Sequence, residues 1–426
     1  MSYIFDFSLI LSTSLITYYS YRSIIYKQNT SSANYLIILL YIFCVVPIIL
    51  NFIVGIPEYK TIYWYKPFIG PMRDENITVI YDLYIFASIL SLKILAIKNS
   101  NLTPLLEYNT FTYLVNKSFL LKWSMICLPL IYIILTGSWE YYTVYAVSSM
   151  RGMSETQGLN LLTPCMLVSM VIFFSCILKK NITFKEILLV LFYSIAIIWL
   201  SGKRFMMANI IFVFTFYLVN LNLSLEKRKK IYKVIPVLSI VLLIFSMFYL
   251  VAVRPMTETT WISLYDMLRV DFGRDDVIKF VINKEIIEDE RMLDYYGQSF
   301  IGLIGSFIPR AIWESKPYPH YMYLTSAILN LDIHSLPAGT TPSLLEMVIC
   351  NFNFYGFIVG IFTLVWLCNF IDKLKDIDSK AIGLILALAI VTQSMDVYLI
   401  LVAMFIAIMI VMLIVKYKKI YIKFKI

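Results

Sequence analysis

The residues whose types could do chemistry are five cations: Lys203, Arg204, Arg254, Arg310 and Lys316. Each sits near the end of an apolar stretch, and all fall on one side of the membrane topology derived below. Guanidinium forks bind phosphate oxygens in pairs, and a lysine adds a point charge. A lipid diphosphate at a membrane surface is the ligand such a set fits, whereas cations that only anchor helices would snorkel to headgroups. Carboxylates inside apolar stretches are costly and therefore informative. Glu346 lies beside the turn "GTTPS", Asp82 and Lys93 share one stretch eleven residues apart, and Asp396 falls between two short stretches. Asp6, near the terminus, is given no role. The two histidines are His320 and His334.

Several chemistries are excluded. "SGKRF" at 201–205 is not a P-loop, because Ile197 stands where the first glycine would be. HExxH, GxSxG and an Asp-rich metal motif are all missing, so no metal and no cofactor is expected. The six cysteines include no CxxC pair and lie in apolar stretches, so neither a disulfide framework nor a zinc site is expected.

The elements that must position these residues are membrane helices. Of the 426 residues 60% are hydrophobic and 15% charged, with mean hydropathy +0.79. A soluble fold is about a quarter charged, and this composition in water would aggregate. Spans of roughly 20 residues are expected near 2–21, 34–57, 77–97, 119–137, 159–178, 186–200, 205–223, 231–253, 343–370, 381–395 and 397–415. The last two form either a tight hairpin or one broken helix, so the expectation is about 11 helices, within 10–12. No cleavable signal peptide is expected, since Asp6 interrupts the first stretch. The chain reads as a single all-α polytopic membrane domain over 1–426, with one long extracytoplasmic loop at 254–342 between spans eight and nine.

Orientation follows from Lys and Arg. Segments on one side hold 22 of them and the short segments opposite hold 6, so the N-terminus is expected outside and the C-terminus in the cytoplasm. Lys203 and Arg204 run against that bias. The net charge of +9 is explained by these clusters beside spans, and no nucleic-acid partner is expected. Within the long loop, 261–282 alternates apolar residues with Asp266, Arg269, Asp271, Arg274, Asp275 and Asp276. That pattern predicts an amphipathic helix lying in the interface. The apolar run 299–308 is too short to span and predicts a re-entrant or interfacial element.

"SGKRF" after a span, "FIPRAIWESKPY" in the long loop and "GTTPSLLEMVICNFNFYG" beyond it together resemble the oligosaccharide repeat unit polymerase (Wzy) family of O-antigen and capsule polymerases. The resemblance implies a GT-C-like helical glycosyltransferase in the bacterial cytoplasmic (inner) membrane. It implies metal-free transfer of a growing glycan from undecaprenyl diphosphate to a second carrier-linked repeat, with lipid diphosphate leaving. The partners implied are the undecaprenyl-diphosphate-linked oligosaccharide, the lipid bilayer and a chain-length-determinant membrane protein. Diphosphate binding would fall to the five cations. A general base would come from Glu346 or His334, with His320, Asp275 and Asp276 as further candidates. An O-antigen ligase-type transferase and a flippase of the same repeat unit are the competing readings.

Overall fold

A computed structural model describes residues 2–60, 63–102, 115–116, 118–136, 162–178, 184–201, 204–221, 224–253, 261–336, 339–394 and 399–410. Among these the regular structure is helical, with no strand. The first helices are α1 (Ser2–Lys27), α2 (Ser32–Ile53), α3 (Glu75–Lys98), α4 (Phe119–Ile126), α5 (Leu128–Leu135), α6 (Leu162–Ile177), α7 (Phe184–Ser201), α8 (Arg204–Asn220) and α9 (Leu225–Val253). They continue as α10 (Trp261–Phe272), α11 (Asp275–Ile282), α12 (Gln298–Ile304), α13 (His320–Leu329), α14 (Leu344–Phe352), α15 (Tyr355–Asp372), α16 (Ile377–Thr392) and α17 (Leu399–Ile410).

Three of the described helices, α2, α3 and α15, are long and apolar enough to cross a membrane. Leu162–Ile177, Met206–Asn220 and Leu399–Ile410 are apolar but shorter. Two expected spans are interrupted, and local chemistry accounts for one break. The stretch 119–137 divides at Cys127, where Pro129 opens the next helix without an N–H to donate back. The stretch 343–370 divides into α14 and α15 around Asn353, whose φ is +51°. There the chain reverses. A Cβ on Gly356 would collide with the Val348 carbonyl and the Ile349 Cα, so only glycine lets α15 lie against α14.

The ends of the helices are sorted. The end of α15 meets the start of α2 and the end of α3 at Asp372, which accepts from the Ser32 amide (2.7 Å) and the Asn99 side-chain amide (3.0 Å). The start of α16 joins them through Lys380, which donates to Thr30 at 3.3 Å. Tyr217 near the end of α8 donates to Asp378 (2.8 Å), and Arg228 near the start of α9 donates to the Tyr26 carbonyl (3.0 Å). Arg22, Lys27, Lys98, Arg228, Lys233 and Lys373 all lie near these termini, so this is the basic end of the bundle. Helix α17 returns toward it, since Phe405 packs on Phe370 two residues before α15 ends. The described parts of the last two expected spans, α16 and α17, therefore run in opposite directions, and residues 395–398, with Asp396, and 411–415 lie outside the described residues.

Segment 261–282 departs from its expectation. It is two helices, α10 and α11, broken at Gly273–Arg274 and inserted into the bundle rather than laid on its surface. Tyr265 of α10 donates to the Gly55 carbonyl beyond the end of α2, whereas Phe272 packs on Phe43 inside it. Helix α11 climbs back, with Lys279 donating to Thr78 in the first turn of α3 (3.1 Å) and Phe280 against Phe68. Amphipathicity was legible, but its polar face is buried: Asp266, Arg269, Asp275, Asp276 and Lys279 are all sealed from solvent. An amphipathic pattern says that one face differs from the other, and burial against polar partners satisfies it as well as water does.

Candidate functional site

The tip of this hairpin is where the chemistry gathers, and its seat is prepared in α2. Helix α2 contains a π-helical turn, Tyr41–Val45, with Pro47 two residues beyond it. Proline has no N–H, so the Phe43 carbonyl four residues earlier lacks its α-helical donor. The Arg274 amide supplies one at 3.0 Å. The neighbouring Cys44 carbonyl accepts from the Tyr81 hydroxyl at 2.7 Å. Phe43 lies near the midpoint of α2, so Arg274 sits about halfway along a membrane-length helix.

The Arg274 guanidinium joins two further segments. It donates to the Thr341 carbonyl at 2.5 Å and to the Thr392 carbonyl, the last residue of α16, at 2.7 Å. A helix C-terminus carries partial negative charge and unpaired carbonyls, which makes it a natural seat for a cation. Arginine has five donors, and Nε finds no acceptor among the described residues. Arg274 is half-buried beside exposed Thr341 and half-buried Gln393, so the tip can be reached from outside the protein.

Beneath the tip lies Glu346, fully buried. Both of its oxygens accept from Ser343, one from the amide and one from the hydroxyl, and Ser343 Oγ in turn accepts from the Leu345 amide at 3.3 Å. This capping box starts α14. With both oxygens held, Glu346 fixes Ser343 and so the segment that leads to Thr341. Around the tip, Arg269 pairs with Asp275 at 2.7 Å and Tyr59 donates to Asp276 at 2.9 Å. Deeper in the flank Asp82 is buried with neither oxygen bonded to a donor among the described residues, and Asp6 faces it from α1. Lys93, by contrast, donates to Ser20 and has no contact with Asp82.

The other expected site residues divide into three groups. Arg310, Lys316 and His334 come together, the two cations on the loop after α12 and the histidine on the segment after α13. Arg310 stacks 3.9 Å from the Tyr318 ring centre, and His334 meets the same ring edge-on at 5.2 Å. Arg310 donates to the Lys316 and Pro317 carbonyls, and Lys316 to those of Ser306 and Ile308. Arg204 opens α8, and its backbone level can be read from register: thirteen residues from Tyr217 at 1.5 Å each is about 20 Å. On α16, packed against α8, the same rise from Asp378 reaches the level of Thr392. Lys203 and Arg254 lie outside the described residues.

Two groups in the segments after α11 have ordinary values displaced by burial. His320 is buried with Nδ1 2.9 Å from the Ser299 hydroxyl, and desolvation holds its pKa down to about 4. Glu285 is buried in the π-helical turn after α11, and desolvation pushes it up to about 7 although the Met292 amide donates to it. Sequence reasoning missed Arg274 as a site residue. The available signal was a Gly-Arg pair breaking a helical pattern, plus Pro47 breaking another. Comparison with protein-family models, with curated proteins and with solved structures finds no match for this chain.

Proposed function

We propose that this chain is a polytopic membrane glycosyltransferase that polymerises undecaprenyl-diphosphate-linked oligosaccharide repeats on the outer face of a bacterial cytoplasmic membrane. In this reading the shorter apolar helices complete about eleven spans in a GT-C-like arrangement, with the basic end cytoplasmic. The observation that carries it is the meeting of Arg274 with Thr341. The "GTTPS…E" segment, which bears the family resemblance, is bonded to a reachable, half-buried guanidinium at about mid-height of α2.

An acceptor hydroxyl oxygen bonds to the donor's anomeric carbon while that carbon's bond to the diphosphate oxygen breaks. The electron pair leaves on the lipid diphosphate, and the hydroxyl proton is passed to a base or to the departing phosphate. Arg274, with Arg204 at the same level, offsets the charge that develops there, and donors fixed in advance lower the barrier most. Glu346 is a positioning residue that holds the Arg274 partner turn. His334, exposed against Tyr318 beside Arg310, is the acid–base group that the family resemblance assigns, and it stands apart from the Arg274 contacts.

The test is purified protein in liposomes given only the carrier-linked repeat. A ladder of chain lengths is expected, and Arg274→Ala and Arg274→Lys should each abolish it. An undiminished ladder from both variants would remove Arg274 from the mechanism. A ligase would make no ladder without its own lipid acceptor. A second reading, transport of the same glycan, is favoured by the depth of Arg274 and by the broken helices that end there. Movement of the repeat between leaflets, scored by an external glycosidase, with no ladder would select it.

A further inference from the structure

The segment 304–313 exposes three isoleucines at intervals of four: Ile304 (78%), Ile308 (41%) and Ile312 (79%). Exposed apolar side chains on an irregular loop would be unremarkable if its backbone were open to water. Here half of the backbone carbonyls are bonded within the protein. The Gly305 carbonyl accepts from the Ile308 amide, and that of Pro309 from Ile312 and Trp313. The Lys316 ammonium covers the Ser306 and Ile308 carbonyls, both at 2.9 Å, and its amide covers that of Trp313 at 3.1 Å. Arg310 folds over Tyr318 and covers the Lys316 and Pro317 carbonyls at 2.8 and 3.3 Å. Water would solvate such carbonyls freely. Lipid would not, and non-helical backbone can approach hydrocarbon only when its polar groups are satisfied within the protein.

The loop also stands at the right height. Gly297 and Ser299 donate to Asn351, and Phe300 stacks on Phe352, so the segment leaves the bundle where α15 begins. Phe354, Tyr355 and Ile358 at that start are exposed and belong to a helix able to span the bilayer, so the apolar surface of the loop continues that of the span.

We infer that residues 304–313 form an apolar wedge seated in the interfacial layer of the bilayer, with Lys316 capping its Ser306 and Ile308 carbonyls and Arg310 covering those of Lys316 and Pro317 just beyond it. The inference rests on the membrane reading of α15. The partner is the lipid itself, at the boundary between headgroups and acyl chains. The two cations that a sequence reading assigns to a diphosphate here serve to make a loop compatible with lipid.

The test places a benzophenone side chain at Ile312, Ile358 or Glu290 of the full chain, in liposomes of phosphatidylethanolamine and phosphatidylglycerol carrying a tagged phospholipid. Ile358 reports on the span and Glu290 on an exposed turn outside it. Lipid adducts at 312 should reach at least about half the yield at 358 and stand several-fold above 290. A yield at 312 equal to that at 290, with 358 labelled, overturns the wedge. No adduct at 358 overturns the membrane reading instead. Lys316→Met should lower the 312 adduct several-fold and leave the 358 adduct unchanged; an unaltered 312 adduct would show that Lys316 does not cap the loop.

Discussion

Arg269 and Asp275 bond at 2.7 Å with both side chains wholly buried, so neither charge can fall back on water. Removing one partner of such a pair strands the other, at a cost of about 3–5 kcal/mol, whereas replacing both with apolar residues is often near neutral. Arg269→Met alone should therefore destabilise strongly in detergent thermal unfolding, and Arg269→Met with Asp275→Leu should recover most of the loss. His320 gives a pH signature. Its folded pKa, about 4, lies below the usual 6.5, so its contribution is present above pH 6.5 and is lost as pH falls from there toward 4. The loss is at most about 3 kcal/mol, and His320→Phe should flatten thermal inactivation across that window. Glu285 has the opposite sign: its folded pKa is raised, so its contribution is full below about pH 4.5 and fades as pH rises through about 7. Glu285→Gln should remove that decline. At this scale the sequence was only partly legible. Glu346 stood out because a carboxylate in an apolar run is costly, and the structure buries it in the capping box of α14. Arg274 did not stand out, because one cation among five neighbouring charges carries no mark of which will be buried and which reachable.

The decisive elements are the interrupted ones. Pro47 leaves the Phe43 carbonyl for Arg274, and Pro47→Ala would restore a competing N–H within α2. That variant should keep its helix content and lose about 1–3 kcal/mol of hairpin docking, read as faster hydrogen exchange over 261–287 and loss of the function assigned to Arg274. At Gly273 an added Cβ would fall 2.5 Å from the Arg269 carbonyl, so Gly273→Ala should disturb the same segment by a different route. Unchanged exchange in both variants would refute the docked hairpin. Hydropathy located the stretches that became α2 and α3 well, since burial in lipid or protein demands the same apolar run, but it joined α14 to α15 in one span. It could not place the breaks, because a π turn or a helix reversal changes which backbone groups are bonded without changing how apolar the residues are.

For the molecule as a whole, sorted termini make a bundle with two unlike ends. One carries Arg22, Lys27, Lys98, Arg228, Lys233 and Lys373 together with the Asp372 cluster, and the other receives the α10–α11 hairpin and the loop after α12. The positive-inside bias predicts that Lys373, at the basic end, faces the cytoplasm. A cysteine at Lys373 should resist a membrane-impermeant thiol reagent in intact cells, and one at Glu290 should react. The reverse pattern would invert the topology. That distribution of charge was legible in the sequence, since it needs only the order of spans. The folding of a long loop back into the bundle was not, because its partners lie far away along the chain.

That distance has a consequence in time. Arg274 draws on Thr341 and Thr392, which follow it by 67 and 118 residues. At about 5–20 residues per second, roughly 6–24 s separate synthesis of the tip from that of its last partner. Through that interval the hairpin has α2 and α3 but not its final anchor, and a polar tip cannot rest in bare hydrocarbon. In the membrane setting proposed above, the expected resting place for so amphipathic a sequence is the bilayer surface until the C-terminal helices arrive. A chain ended after residue 340 should hold 261–287 in that waiting position, open to protease.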